Sequence, residues 1–148
     1  MADLYEVLLV DGGTRWHAGW LVDDDSETDV LLRDHGHVPV FSSRAGLEHH
    51  AQSHGLEVQE DLPYEIDLDL GGWLTQCMPL PPTAEVSELW HLLYDDPVAG
   101  RALGGEQLGE AYDDLVEEEP DWFTVHGPVA RKAMTDAVQR LRSVLRPS

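Results

Sequence analysis

Hydrophobic positions in the first third of the chain alternate with polar ones at a period of two, the pattern of a strand with one face buried. Leu4 to Val10 is rich in β-prone side chains and stops at Asp11-Gly12-Gly13, a turn signal. In the next run Trp16, Ala18, Trp20 and Val22 point one way, while His17, Gly19 and Leu21 point the other. Asp23-Asp24-Asp25-Ser26 breaks it. Val30 to Arg33 and Val38 to Phe41 are shorter strands on either side of Asp34-His35-Gly36-His37. Links this short favour antiparallel pairing, because parallel neighbours need a long crossover. The prediction is an N-terminal antiparallel four-stranded meander.

After Phe41 the period becomes helical. Ser42 or Ser43 caps a helix running to about Ser53, with Gly55 just past its end. Leu68 to Cys77 forms a short helix, weakened by Gly71-Gly72, before the extended break Met78-Pro79-Leu80-Pro81-Pro82. Thr83 caps a helix with Val86, Leu89, Trp90 and Leu93 on one side, and shorter helical pieces cover 98–103 and 106–118. The last helix is the clearest. It starts at Gly127-Pro128, and Val129, Ala133, Met134, Ala137, Val138, Leu141, Val144 and Leu145 follow the i, i+3, i+4 pattern. Strands first and helices after is the order of an α+β fold, with several helices packed on the sheet and a long amphipathic C-terminal helix.

Length changes this picture little: 148 residues fit one domain, taken here as 1–148. No apolar run approaches the roughly 20 residues that span a bilayer, and Asp3 and Glu6 stand where a secretory signal needs basic residues. Cys77 is the only cysteine, which rules out an internal disulfide, fits a cytoplasmic location, and reads as a small buried apolar group.

Charge changes the picture most. There are 29 acidic and 9 Lys or Arg side chains, a formal net charge of −20. Such a field repels phosphate backbones and anionic lipid and attracts basic proteins. The imbalance is uneven. Residues 1–126 carry net −24, whereas residues 127–148 carry net +4 through Arg131, Lys132, Arg140, Arg142 and Arg146 against Asp136. The basic segment is expected to dock on the acidic body.

Templates for catalysis fail one after another. Asp11-Gly12-Gly13-Thr14, Gly71-Gly72 and Gly104-Gly105 lack the endings of phosphate-binding loops, and no Gly-x-Ser-x-Gly elbow occurs. Asp67 and Asp69 carry little weight for acid–base work in so acidic a chain. The acidic turn Asp23, Asp25, Glu27, Asp29 has Thr28 where a calcium loop of the EF-hand type needs glycine. Among the eight histidines, His50 and His54 lie four apart on a predicted helix and can reach one ion, with His35 and His37 able to add to it. The His-Glu-x-x-His pattern is absent, so exposed polar histidines are the expectation, with no metal and no cofactor.

Two acidic clusters flank aromatic residues. One joins Trp20 to Asp23, Asp24, Asp25, Glu27 and Asp29; the other is Glu117, Glu118, Glu119 and Asp121 with Trp122. Either is a solvated face over a core tryptophan, or a negative rim around an aromatic anchor, as in tight protein interfaces.

One further pattern carries a resemblance. Val38-Pro39-Val40-Phe41-Ser42-Ser43 precedes Leu47 and Gly55-Leu56; then come Asp67-Leu68-Asp69-Leu70 and Trp73-Leu74. After the proline break follow Leu89-Trp90-His91-Leu92-Leu93-Tyr94-Asp95-Asp96 and Tyr112-Asp113-Asp114-Leu115. This order, over about residues 38–116, resembles small acidic immunity proteins of bacterial toxin–immunity systems. The resemblance implies a cytoplasmic antagonist that binds and blocks a toxin domain, and no catalytic residues carry over from it. The alternatives are a nucleic-acid mimic inhibiting a DNA-binding protein, and a generic domain whose acidity reflects a salt-rich cytoplasm.

Overall fold

A computed structural model describes residues 2–23, 29–61 and 63–148 of the chain. They form two compact units: Met1–Leu68 with Val144–Ser148, and Asp69–Ser143.

The first unit carries the strands. Strands β1 (Ala2–Asp11) and β2 (Thr14–Asp23) pair antiparallel through a two-residue turn. Gly12 and Gly13 both have positive φ, the conformation a tight hairpin turn requires. Strand β3 (Asp29–Leu31) adds antiparallel to β2. The other edge departs from the expected meander. Strand β5 (Tyr64–Asp67) lies parallel to β1, giving the order β3-β2-β1-β5. The predicted fourth strand, β4 (Val38–Val40), is outside that sheet. It pairs in parallel with β6 (Leu145–Pro147), a segment whose periodicity predicts helix. Both pairings are parallel and join segments far apart in sequence. Local alternation carries no information about such partners.

Helix α1 (Arg44–Ser53) begins where Ser43 Oγ accepts a hydrogen bond from the Gly46 amide, the expected cap. Its Leu47 and Ala51 are fully buried in one cluster with Leu4, Leu32, Phe41 and Val58. Gly19 of β2 serves the same cluster. A Cβ there would stand 2.9 Å from Leu4 Cδ1 and 3.1 Å from Leu32 Cβ, so any larger side chain pushes the packing apart.

The second unit is helical. A 3-10 turn, Leu70–Gly72, leads into the short helix α2 (Trp73–Gln76). Helix α3 (Thr83–Tyr94) buries Val86, Leu89, Trp90, Leu92 and Leu93. Buried Asp96 then accepts hydrogen bonds from the amides of Val98 and Ala99 at 3.0 and 2.8 Å, starting a 3-10 segment, Ala99–Leu103. Helices α4 (Glu106–Val116), α5 (Trp122–Val125) and α6 (Gly127–Arg142) complete it. The buried stripe Ala130, Met134, Ala137, Val138 and Leu141 of α6 packs with α3, α2 and the 3-10 segment, as its periodicity requires. Cys77 is exposed at the left-handed C-cap of α2 rather than buried, because the helix ends there and residues 75–80 run along the surface into the proline run. No helix among the described residues is long and apolar enough to cross a membrane.

Candidate functional site

Three polar groupings stand out, two in the first unit and one in the second. The first is a buried carboxylate. Glu6 lies in β1 opposite Gly19 and is 4% exposed. Its two oxygens are taken by His17 Nδ1 from β2 and by Arg44 Nη1 from α1 at 3.1 Å. Arg44 is itself tied down. Its Nε donates to Glu48 at 2.7 Å and its Nη2 to the Gln59 carbonyl at 2.8 Å. The hydrogen bond to Glu48, then that to Glu6, hold the guanidinium above its ordinary pKa, while partial burial opposes them. This cluster is complete, and the side chains satisfy one another.

The second grouping is incomplete. Asp34 begins a two-residue turn between β3 and β4, closed by Asp34 N–H to His37 O at 2.8 Å and His37 N–H to Asp34 O at 3.1 Å. His35 and Gly36, at φ 53° and 82°, supply the two left-handed residues. The turn points the Asp34 carboxylate at the C-terminal end of α1. There His54 Nε2 is 3.9 Å and His50 Nε2 4.0 Å from Asp34 Oδ2. The His50 ring is packed between Phe41 and His54, at centroid distances of 5.4 and 4.6 Å. Its Nε2 is buried and has no hydrogen-bond partner. Burial, then repulsion from His54, lowers the His50 pKa below 6.5, with Asp34 opposing in part, which favours the neutral ring. His50 therefore departs from the expected exposed polar histidine. At 100° per residue the two groupings lie on opposite flanks of the buried Leu47–Ala51 stripe, Arg44 on one side and His50 and His54 on the other.

The third grouping is acidic. Residues 106–121 hold eight carboxylates and no Lys or Arg. Oxygens of Asp114, Glu117 and Glu119 come within 4.8 Å of one another at the C-terminal end of α4. Helix ends of this polarity favour cations, so the charges stand where the dipole opposes them. Glu118 takes φ 55° there, at a position that usually selects glycine. His126 Nε2 meets Asp114 Oδ2 at 2.7 Å. Exposed Val116, Val125 and Val129 stand at the ends of α4 and α5 and in the first turn of α6, helices in mutual contact.

Of the residues singled out in sequence, Glu117, Glu118, Glu119 and Asp121 are exposed on this acidic segment. Trp122 is 1% exposed and its Nε1 donates to the Ala111 carbonyl at 2.7 Å, so it anchors the segment from inside and offers no surface to a partner. Trp20 is half-buried. It lines an open groove of about 390 Å³ with Tyr5, Val22, Asp29, Asp61 and Tyr64, because β2 pairs Val22 with Asp29. Asp23 ends β2 half-buried, and Asp24, Asp25 and Glu27 lie outside the described residues. Asp69 binds the Thr75 amide and hydroxyl at 3.0 and 2.8 Å, a local turn contact.

Sequence reasoning missed Glu6 and Asp34. Glu6 had a signal, a carboxylate inside the apolar run Leu4 to Val10. Asp34 had none stronger than its place before His35-Gly36.

No protein-family model matches the chain, and no curated protein is significantly similar to it. Among solved structures, the chain is similar to the SatS C-terminal domain, whose crystal structure was determined in complex with bromine. The two share 16% identity at a TM-score of 0.58, over 99% of this chain and 94% of that one, a likeness of fold alone.

Proposed function

We propose that the protein is a cytoplasmic binding protein whose acidic segment, residues 106–121, engages a basic protein partner, in the manner of an immunity protein that blocks a toxin domain. The observation that carries this reading is the convergence of Asp114, Glu117 and Glu119 within 4.8 Å at the unfavourable end of α4. Crowded carboxylates at a helix C-terminus cost stability in the free protein, each opposed by the dipole by about 0.3–1 kcal/mol. An arginine or lysine from a partner offsets that cost and gains charge-assisted hydrogen bonds. Exposed Val116, Val125 and Val129 add the apolar contact that tight interfaces need beside a charged rim. The net charge of −20 steers a basic partner toward the chain from a distance.

The test is capture of partners from the native host by the full chain, then by Glu117→Gln/Glu118→Gln/Glu119→Gln. The expected result is one stoichiometric basic protein, associating more slowly as salt rises and at least about tenfold more weakly with the triple variant. A partner held equally by both proteins refutes the acidic segment as the contact. Absence of any basic partner refutes the reading as a whole.

A further inference from the structure

We propose that Asp34, His50 and His54 form a binding site for a divalent transition-metal ion, zinc in the first place. The three side chains come from two elements, each held by its own backbone hydrogen bonds. The hairpin turn fixes Asp34, and α1 presents His50 and His54 four residues apart at its C-terminal end. One ligand atom from each lies within 4.8 Å of the others.

His50 and His54 touch ring to ring, but no hydrogen bond joins either to Asp34. At 3.9 and 4.0 Å both imidazole nitrogens stand beyond hydrogen-bond reach of Asp34 Oδ2. His50 Nε2 is sealed from solvent and unpartnered, a costly state for a buried polar atom. An ion placed among the three supplies the missing partner. Ligands at about 2.0–2.1 Å from a tetrahedral zinc are about 3.3 Å apart, so the separations from Asp34 must close by about 0.6 Å for His54 and about 0.7 Å for His50. The freedom is there, since the Asp34 and His54 side chains are 33% and 41% exposed.

Charge and donor type select the ion. Asp34 brings a negative charge and the end of α1 a negative dipole, both favouring a cation. Two imidazoles with one carboxylate suit zinc, cobalt, nickel or copper, whereas magnesium and calcium take oxygen ligands. Three protein ligands leave one position for water. A bound ion ties the β3–β4 turn to the end of α1.

The test is calorimetric titration of zinc chloride into the full chain, stripped with chelator and held in millimolar magnesium to occupy acidic surface sites. One equivalent is expected to bind, and the cobalt form should show the intense visible absorption of four-coordinate cobalt. His50→Ala and His54→Ala should each weaken binding more than about 100-fold, beyond what loss of an outer-shell partner does. His91→Ala, on exposed α3 surface, should change nothing. His54 sits at the cap of α1 and is partly exposed, so His54→Ala tests the site even where His50→Ala fails to fold. No binding above the magnesium background, or zinc binding that survives His54→Ala in a chain with native circular dichroism, overturns the proposal.

Discussion

Helix α1 carries two groupings of imidazole and carboxylate on opposite flanks of one buried stripe, and they differ in how their polar atoms are satisfied. Around Glu6 a cation is built in: Arg44 reaches the carboxylate while His17 takes the other oxygen. Around Asp34 two imidazoles stand near a carboxylate without touching it, and one nitrogen has no partner at all. The first grouping reads as structure, because every buried polar atom is used. The second reads as a place for something else. The composition of a cluster does not separate these roles; the unpaired atom does.

The largest expected effect comes from breaking the complete cluster. Arg44→Ala leaves the Glu6 carboxylate buried with His17 alone and should cost about 3 kcal/mol, seen as a lower urea midpoint at unchanged slope. An unchanged midpoint would show the cluster to be dispensable. Next in size is the effect of filling the incomplete cluster. Zinc at about 100 times its dissociation constant should stabilise the wild-type chain by about 2.7 kcal/mol and leave His54→Ala unmoved. Equal stabilisation of both proteins would place the ion elsewhere.

Smaller effects sharpen the contrast in the metal-free protein. The native His50 pKa lies below 6.5, so the unfolded chain protonates there first as pH falls. Stability should therefore drop as pH falls below that value and level off beneath the lowered native one. His50→Gln should remove that component, read as the difference in urea midpoint between wild type and variant across the window. The least change is expected from Asp34→Ala under chelator, within about 0.5 kcal/mol, because His50 and His54 stand beyond hydrogen-bond reach of its carboxylate and the ion pair to His35 is exposed. A loss as large as that of Arg44→Ala would erase the distinction between the two clusters.

The acidic segment of the second unit offers a parallel lesson about legibility. Its charge was plain in sequence, and so was its tryptophan. Which of them faces outward was not. Trp122 has the apolar bulk to be either an anchor for a partner or a plug for the core, and its hydrogen bond to Ala111 O places it inside. Sequence marks a residue as able to bury surface, while packing decides on which side.

The sequence by itself determined the α+β class, the β1–β2 hairpin, the capped start of α1, the long run of α6 and the acidic excess of residues 1–126. Each of these rests on local periodicity, turn chemistry or simple charge. Only the tertiary structure decided that β5 lies parallel to β1, that β4 pairs with a C-terminal strand, and that Asp34 meets His50 and His54. Those contacts join residues distant in the chain. Local pattern carries no term for them, and they exist only once chain entropy has been offset by burial.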